Sequence, residues 1–260
     1  VISDRKIRKW SMRITVVTVC LNSEQTISQT IESVLNQGKN VNEYIIVDGL
    51  SSDGTIDIVK SYTEKFERAK INFLVIQERD NGIYEAINKG ISCSTGEIVA
   101  LLNSDDWYLD NSLEPVQDHF RLFPQTEILH ANIFYHDHRG ARLVRPRFSN
   151  ASFFWFGMTI FHPTFFVRRS VFDKCIYDES YKLAADYKFL LETLELGVKY
   201  SYLDKALVNM RSGGAGTAFL QRIREGQRAR EDCGFSRPVA LLTSFFRIFV
   251  TLISRAKKIL

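Results

Sequence analysis

Apolar and polar positions along the first hundred residues follow two alternating periods. Ile14-Thr15-Val16-Val17-Thr18-Val19 is a short β-branched run of the kind that forms a buried strand. Ile27, Ile31, Val34 and Leu35 then recur at helical spacing. Tyr44-Ile45-Ile46-Val47 is a second apolar run, stopped at the turn signal Asp48-Gly49. Ile56, Val59, Tyr62 and Phe66 mark a second helix, and Phe73-Leu74-Val75-Ile76 a third strand. Ile83, Ile87 and Ile91 mark a third helix, and Ile98 to Leu102 a fourth strand. Beyond Asp106 the pattern is less regular. It predicts strands at Ile128 to Tyr135, Thr164 to Val167 and Lys199 to Leu203, and a helix from Ala184 to Leu196.

The βαβαβαβ order predicts an α/β fold with a mostly parallel central sheet and helices on both faces. In such sheets ligands gather beyond the carboxyl ends of the strands. Asn22, Asp48, Asp80, Asp105 and Asp106 all fall there, although they come from four separate crossovers. No Pro/Gly-rich linker interrupts residues 13–235, which are expected to form one domain. A basic extension (1–12) precedes it and an amphipathic tail (236–260) follows.

Composition narrows the class. Hydrophobic residues make up 45% of the 260 and charged residues 25%, which is ordinary globular usage. The net charge of +4 is uneven. Arg5, Lys6, Arg8, Lys9 and Arg13 lie at the start, and Arg247, Arg255, Lys257 and Lys258 at the end. Basic ends on a near-neutral body fit an anionic membrane surface better than a nucleic-acid groove, so no nucleic-acid partner is expected. Within the tail, Leu242, Phe245, Phe246, Phe249, Leu252, Ile253 and Ile259 share one helical face. The opposite face carries Ser244, Arg247, Thr251, Ser254, Arg255 and Lys258. This pattern suits an in-plane membrane helix over residues 238–260, or a helix packed on the domain or at a dimer interface. Cys20, Cys93, Cys175 and Cys233 are isolated and read as free thiols in a reducing cytosol. No stretch reaches the ~18–20 apolar residues of a membrane span. The start lacks a signal-peptide pattern, and Met12 suits a native start. The expected location is cytoplasmic, peripheral at the inner face of the membrane.

Four motifs carry chemistry. Asn103-Ser104-Asp105-Asp106 places adjacent carboxylates after a buried strand, an arrangement that a divalent cation bound to a pyrophosphate would neutralise. The structural alternative is a solvated turn in which Asp106 or Asp110 caps a helix near Ser112–Phe120. Asp48 ends a strand and can accept from a nucleobase N–H or a ribose hydroxyl, while Asp53 suits the cap of the next helix. Arg79, Asp80 and Lys89 stand where strand three passes into its helix, a place for base recognition and phosphate contact, or for a plain cap and a solvated lysine. Asp186 follows two alanines and reads either as a helix cap or as a general base whose proton affinity an apolar wall raises. His162 is a structural histidine or a metal or phosphate ligand. Arg211 heads the glycine-rich loop 213–216, either closing on a pyrophosphate or serving as a connector.

Together these pieces resemble family 2 glycosyltransferases, the inverting family with the GT-A fold. The matching segments are Thr18 to Asn22, Ser33 to Gln37, Ile46 to Gly49 with Ser52 to Thr55, Asp80 to Ala86 with Asn88 to Gly90, and Gly96-Glu97 leading to Leu102 to Asp106. The match is close over residues 13–107 and looser over 160–212. The order of the five motifs is specific, although each alone is weak.

The resemblance implies that Asp48 and Asp80 contact the base, that Asp105 and Asp106 form the metal-binding motif with Asp106 the direct ligand, and that Asp186 is the catalytic base. It implies a nucleotide-binding half (13–107) and an acceptor and catalytic half (108–235). It also implies Mn²⁺ or Mg²⁺ as cofactor, a nucleotide-sugar donor, commonly a UDP-sugar, and a glycan or lipid-linked acceptor of a surface polysaccharide. Ala185 stands where the family commonly has an acid, and Asn103 where it often has the first Asp. Two other classes remain. A sugar-nucleotide nucleotidyltransferase needs a glycine-rich phosphate loop after strand one, and Cys20-Leu21-Asn22-Ser23-Glu24-Gln25 has no glycine. A non-catalytic nucleotide- or carbohydrate-binding module would keep the cleft without turnover.

Overall fold

The computed structural model describes residues 12–212 and 219–244. The basic extension to Ser11, the glycine loop at 213–216 and the tail from residue 245 onward lie outside the described residues. The first half is β1 (Ile14–Cys20), α1 (Ile27–Leu35), β2 (Glu43–Asp48), α2 (Thr55–Ser61), α3 (Thr63–Ala69), β3 (Asn72–Gln77), α4 (Ile83–Cys93) and β4 (Ile98–Leu101). The second half is β5 (Trp107–Tyr108), α5 (Leu113–Leu122), β6 (Ile128–Asp137), β7 (Gly140–Val144), β8 (Phe166–Arg168), α6 (Arg169–Phe172), α7 (Ala185–Glu195), β9 (Tyr200–Arg211) and α8 (Phe219–Asp232).

All strands join one sheet in the order β3-β2-β1-β4-β8-β6-β9-β5, with β7 paired to β6. The β3-β2-β1-β4 half is parallel, and register puts Cys20 opposite Asp48 and Asp48 opposite Gln77 at its carboxyl edge. β8 is antiparallel to both β4 and β6, whereas β9 runs parallel to β6. β1, β2 and β4 are buried on both faces because helices cover both, whereas the edge strand β3 is partly exposed. Ile14 and Val16 of β1 pack in one core with Ile27, Ile31 and Val34 of α1, Phe66 of α3 and Phe120 of α5. Val17 and Val19 face the other, with Ile87 and Ile91 of α4 and Leu190 of α7. Period-two alternation along a strand and period-3.6 recurrence along its helix therefore meet as one packed layer on each side.

Several expectations change. The single helix marked by Ile56 to Phe66 is two, broken at Tyr62. Ser61 donates its hydroxyl to Ile58 O (2.6 Å) and Thr63 to Lys60 O (2.9 Å), local bonds that compete with the helical ladder. At Thr164 to Val167 only Phe166–Arg168 is strand, because His162–Thr164 forms a 3-10 turn around Pro163. β9 runs eight residues past the expected end at Leu203, to Arg211, because β6 and β5 flank it. Ser112, not Asp106 or Asp110, occupies the cap position of α5, and its hydroxyl donates to Leu109 O and Leu207 O. The tail begins as helix at 237–244, packed by its polar side: Arg230 donates to Ser244 Oγ (2.6 Å), while Leu242 stays 73% exposed. No helix among the described residues is long and apolar enough to cross a membrane.

Candidate active site

The loops leaving the parallel strands are tied to one another by side chains. Asp48, fully buried at the end of β2, accepts from the Ser51 N–H (3.1 Å) and hydroxyl and from the Cys20 thiol (3.6 Å). Ser51 Oγ in turn accepts from the Asn22 N–H at 2.8 Å, and the Asn22 side-chain oxygen accepts from the Ser52 N–H at 2.9 Å. Asn22 holds a left-handed backbone (φ 53°), which asparagine tolerates better than most residues. Ser23 and Ser104 join the loops after β1 and β4 at 2.9 Å. The Asp80 carboxylate lies against Gly49 so closely that a Cβ there would stand 2.5 Å from its Oδ2. Asp80 also accepts from the Gly82 N–H at 3.1 Å. Asp53 accepts from the Thr55 N–H (3.0 Å) and so steadies the start of α2. The loops bearing Asn22, Asp48 and Asp80 thus form one cluster at the carboxyl edge, and Asn22 and Asp48 serve as its internal ties.

The acidic pair sits beside it, after β4. Asp106 is only 1% exposed. One oxygen accepts from the Arg211 backbone N–H (3.0 Å) and the other from the Asn103 amide (3.1 Å). Burial, followed by the like charge of Asp105, pushes its proton affinity up to about 7. Asp105 is less enclosed; burial raises it as well, and the Arg211 charge opposes that. The Arg211 guanidinium donates to Asp105 O (3.4 Å) and Gln29 Oε1 (2.7 Å) and lies 5.0 Å from the Trp107 ring centre. The structure therefore brings Asp105, Asp106 and Arg211 together because β9 runs back beside β5.

Asp186 lies in the first turn of α7, on the wall of a cavity of about 350 Å³. Asn103, Tyr84, His162, Met210 and Arg222 line the same cavity. Its carboxylate accepts from the Tyr187 N–H (2.8 Å) and, at the long limit of 3.5 Å, from the Tyr84 hydroxyl. Burial raises its proton affinity, partly offset by His162 and Arg222. His162 shares a hydrogen bond with the Tyr177 hydroxyl at 3.1 Å, and burial lowers its proton affinity. Glu225 of α8 accepts from three successive backbone N–H groups, Lys182 (3.1 Å), Leu183 (2.8 Å) and Ala184 (3.0 Å), and so fixes the entry to α7. Sequence reading missed Arg222 and Glu225 because α8 buries Gly226, Ala229 and Arg230 and has no apolar period.

Lys89 is on a different side of α4. Its ammonium pairs with Glu85 (3.0 Å) and Glu78 (3.5 Å) and donates to Arg79 O (2.8 Å). A hollow of about 680 Å³ between residues 174–180 and 192–196 holds none of the expected site residues. Among the described residues no group of three or more His, Cys, Asp or Glu side chains converges as a ready metal set.

Known proteins are similar to this chain in sequence over part of its length and in fold. TuaG of Bacillus subtilis (strain 168), named for teichuronic acid biosynthesis, is 37% identical over 105 residues, 40% of this chain and 40% of its own length. The chain thus spans well under two thirds of that relative. TarS 1-349 of S. aureus, solved in complex with UDP-GlcNAc, superposes with a TM-score of 0.67 at 20% identity over 88% of this chain and 69% of that one. The mannosyltransferase PcManGT from Pyrobaculum calidifontis, solved with GDP-Man and Mn2+, gives 0.65 at 17% identity over 94% of this chain and 76% of that one. Both share the GT-A-like α/β fold. The model described as Glycosyl transferase family 2 matches residues 15–176, more than half of the sequence, and the chain belongs to that family.

Proposed function

We propose that this glycosyltransferase moves a sugar from a nucleoside-diphosphate sugar, with UDP as the base carrier, to a hydroxyl of a glycan or lipid-linked acceptor in surface polysaccharide synthesis. The observation that carries the reading is the shared cavity: Asp186 and Asn103 of the acidic motif line one hollow, although 83 residues separate them. TuaG's name and the UDP-GlcNAc in the TarS structure support the acceptor class and the base. Residues 13–107 form the nucleotide-binding half and 108–235 the acceptor and catalytic half. In this reading the base meets the edge built by Asn22, Asp48 and Asp80, and the diphosphate meets Asp105 and Arg211. Lys89 acts at a distance, by tying α4 to the end of β3 through Glu78.

Two adjacent carboxylates, one of them pushed up to about 7, form an oxygen-donor pair short of positive charge, which suits Mn²⁺ or Mg²⁺. The exposure of Asp105 and the enclosure of Asp106 favour Asp105 as the direct donor, with Asp106 orienting it through Arg211 and Asn103. His162, considered as a ligand from sequence, instead adjoins Asp186 and Tyr177. When bound, the cation would offset charge on the departing nucleoside diphosphate. Asp186 takes the proton of the acceptor hydroxyl as that oxygen bonds to the anomeric carbon. The bond from that carbon to the diphosphate oxygen breaks on the opposite face, so the configuration inverts. Tyr84 and Tyr187 hold the Asp186 carboxylate in place.

A melting screen with UDP-, GDP- and dTDP-sugars in the presence of Mn²⁺ tests the donor, because a ligand that binds only the folded state raises its melting temperature. UDP-sugars are expected to give the largest rise. No rise with any of them, together with no nucleoside diphosphate release, would refute the assignment.

A further inference from the structure

The stretch 139–156 holds four arginines and no acidic residue. It comprises the edge strand β7 and a strap that leads to a 3-10 turn at Ala151–Phe156. The strap is anchored from behind. Phe154 is buried edge-on to His130 (5.9 Å) and Tyr200 (5.2 Å), His130 bonds Ser149 O (3.1 Å), and Asn150 caps the turn by accepting from the Ser152 N–H (2.9 Å). With Phe154 turned inward, Phe153 beside it faces out, while Trp155 packs against the core. Phe153 is 42% exposed and Phe148 36% exposed, stacked at 5.0 Å, and Phe156 lies 6.4 Å from each. Arg147 lies 6.0 Å from the Phe148 ring centre. Arg142 and Arg145 pair with Asp137 and Asp204, whereas Arg139 and Arg147 have no ion-pair partner among the described residues. The result is a partly exposed phenyl cluster with the Arg147 guanidinium beside it, on a stretch that carries a second unpaired arginine, Arg139.

We propose that residues 139–156 are a docking surface for an anionic phospholipid membrane. Exposed stacked phenyl rings gain from leaving water, and Arg147 beside them, with the unpaired Arg139 of the same stretch, gains from the negative potential of acidic headgroups. A second copy of the chain would bring the same unpaired Arg139 and Arg147 and meet like charge. A soluble polyanion would use the arginines but leave the rings in water. The strap continues into Met158, Ile160, Phe161 and His162, which line the cavity of Asp186. Docking through Phe148 and Phe153 therefore sets that cavity beside the lipid headgroups. This last point rests on the lipid-linked acceptor proposed above; the docking itself does not.

Co-sedimentation of the full chain with vesicles of phosphatidylcholine, alone or mixed with phosphatidylglycerol, tests the surface. The chain is expected to partition onto the mixed vesicles and only weakly onto the neutral ones. Phe148→Ser with Phe153→Ser, and separately Arg139→Gln with Arg147→Gln, should each lower partitioning on the order of tenfold. Phe148→Leu with Phe153→Leu should retain it, and circular dichroism should show every variant folded. Wild-type binding by the serine and glutamine variants, as would follow if the tail alone carried the contact, overturns the proposal. So does equal binding to neutral vesicles, or binding to polyphosphate and not to vesicles. Asp186→Asn should sediment as wild type does, and the serine variants should keep the donor-induced rise in melting temperature, so failure here and failure of the catalytic reading are distinguishable.

Discussion

The Asp106 carboxylate is held by two neutral donors, the Arg211 backbone N–H and the Asn103 amide, with Asp105 beside it as a like charge. A buried acid raised to about 7 binds its proton more tightly folded than unfolded, where it titrates near 3.8. Folding stability attributable to this group is therefore full below pH ~4, falls as pH rises through ~7, and is flat above. The loss is about 4 kcal/mol as an upper bound. Asp106→Asn should remove that slope: in urea melts from pH 4 to 8, the variant should gain on wild type with rising pH, and parallel curves would contradict the buried-charge account. At Asp186 the same cause works for chemistry. A base must be deprotonated, and a proton affinity raised by burial moves the acid limb of kcat/KM upward from the ordinary carboxylate range. Asp186→Asn is expected to abolish that limb and to cost roughly 10²–10⁴-fold in rate while donor binding, read by melting shift, persists.

At the scale of elements, α4 can lie on β1 and β2 because it carries a glycine at the crossing. A Cβ at Gly90 would stand 2.3 Å from Val17 Cγ1 and 3.3 Å from Val47 Cγ2. The added methyl would raise helix propensity by ~1 kcal/mol, but overpacking a filled core costs about 1–3 kcal/mol. Gly90→Ala should therefore lower the urea midpoint with an unchanged m value; a raised midpoint would show that the helix lifts without strain. The same helix opens at Gly82, just after Asp80, so its seating also sets where that carboxylate stands.

Across the whole molecule, the catalytic corner depends on residues from its far end. Glu225 of α8 gathers the N–H groups of residues 182–184, and buried Arg230 joins α7 to the helix at 237–244 by donating to the Tyr187 hydroxyl (3.2 Å) and Ser244 Oγ (2.6 Å). Glu225→Ala leaves three donors to find water. This should cost roughly 1–3 kcal/mol of stability and lower kcat by displacing Asp186. Glu225→Gln keeps one acceptor oxygen and should restore part of the rate. Equal rates for all three proteins at saturating donor would rule out a positioning role for α8.

The local code of the first half was enough to set its strands and the order of its helices, since each run of apolar residues carries its own period and each strand ends in a polar turn; the break at Tyr62 that makes two helices of one was not in that period. A parallel order then forces Asp48, Asp80 and the acidic pair onto one edge, whatever the rest of the chain does. Charge and access were decided elsewhere. Asp105 and Asp106 are neighbours in sequence, yet only packing against Arg211 and Asn103 makes one enclosed and the other reachable. Lys89 reads as a solvated or phosphate-seeking cation until Glu78 and Glu85 are seen around it. Arg222 and Glu225 have no periodic signal, and their part in the site arises from a contact with residues some forty positions away. Desolvation and Coulomb energy depend on neighbours in space, and those belong to the tertiary structure alone.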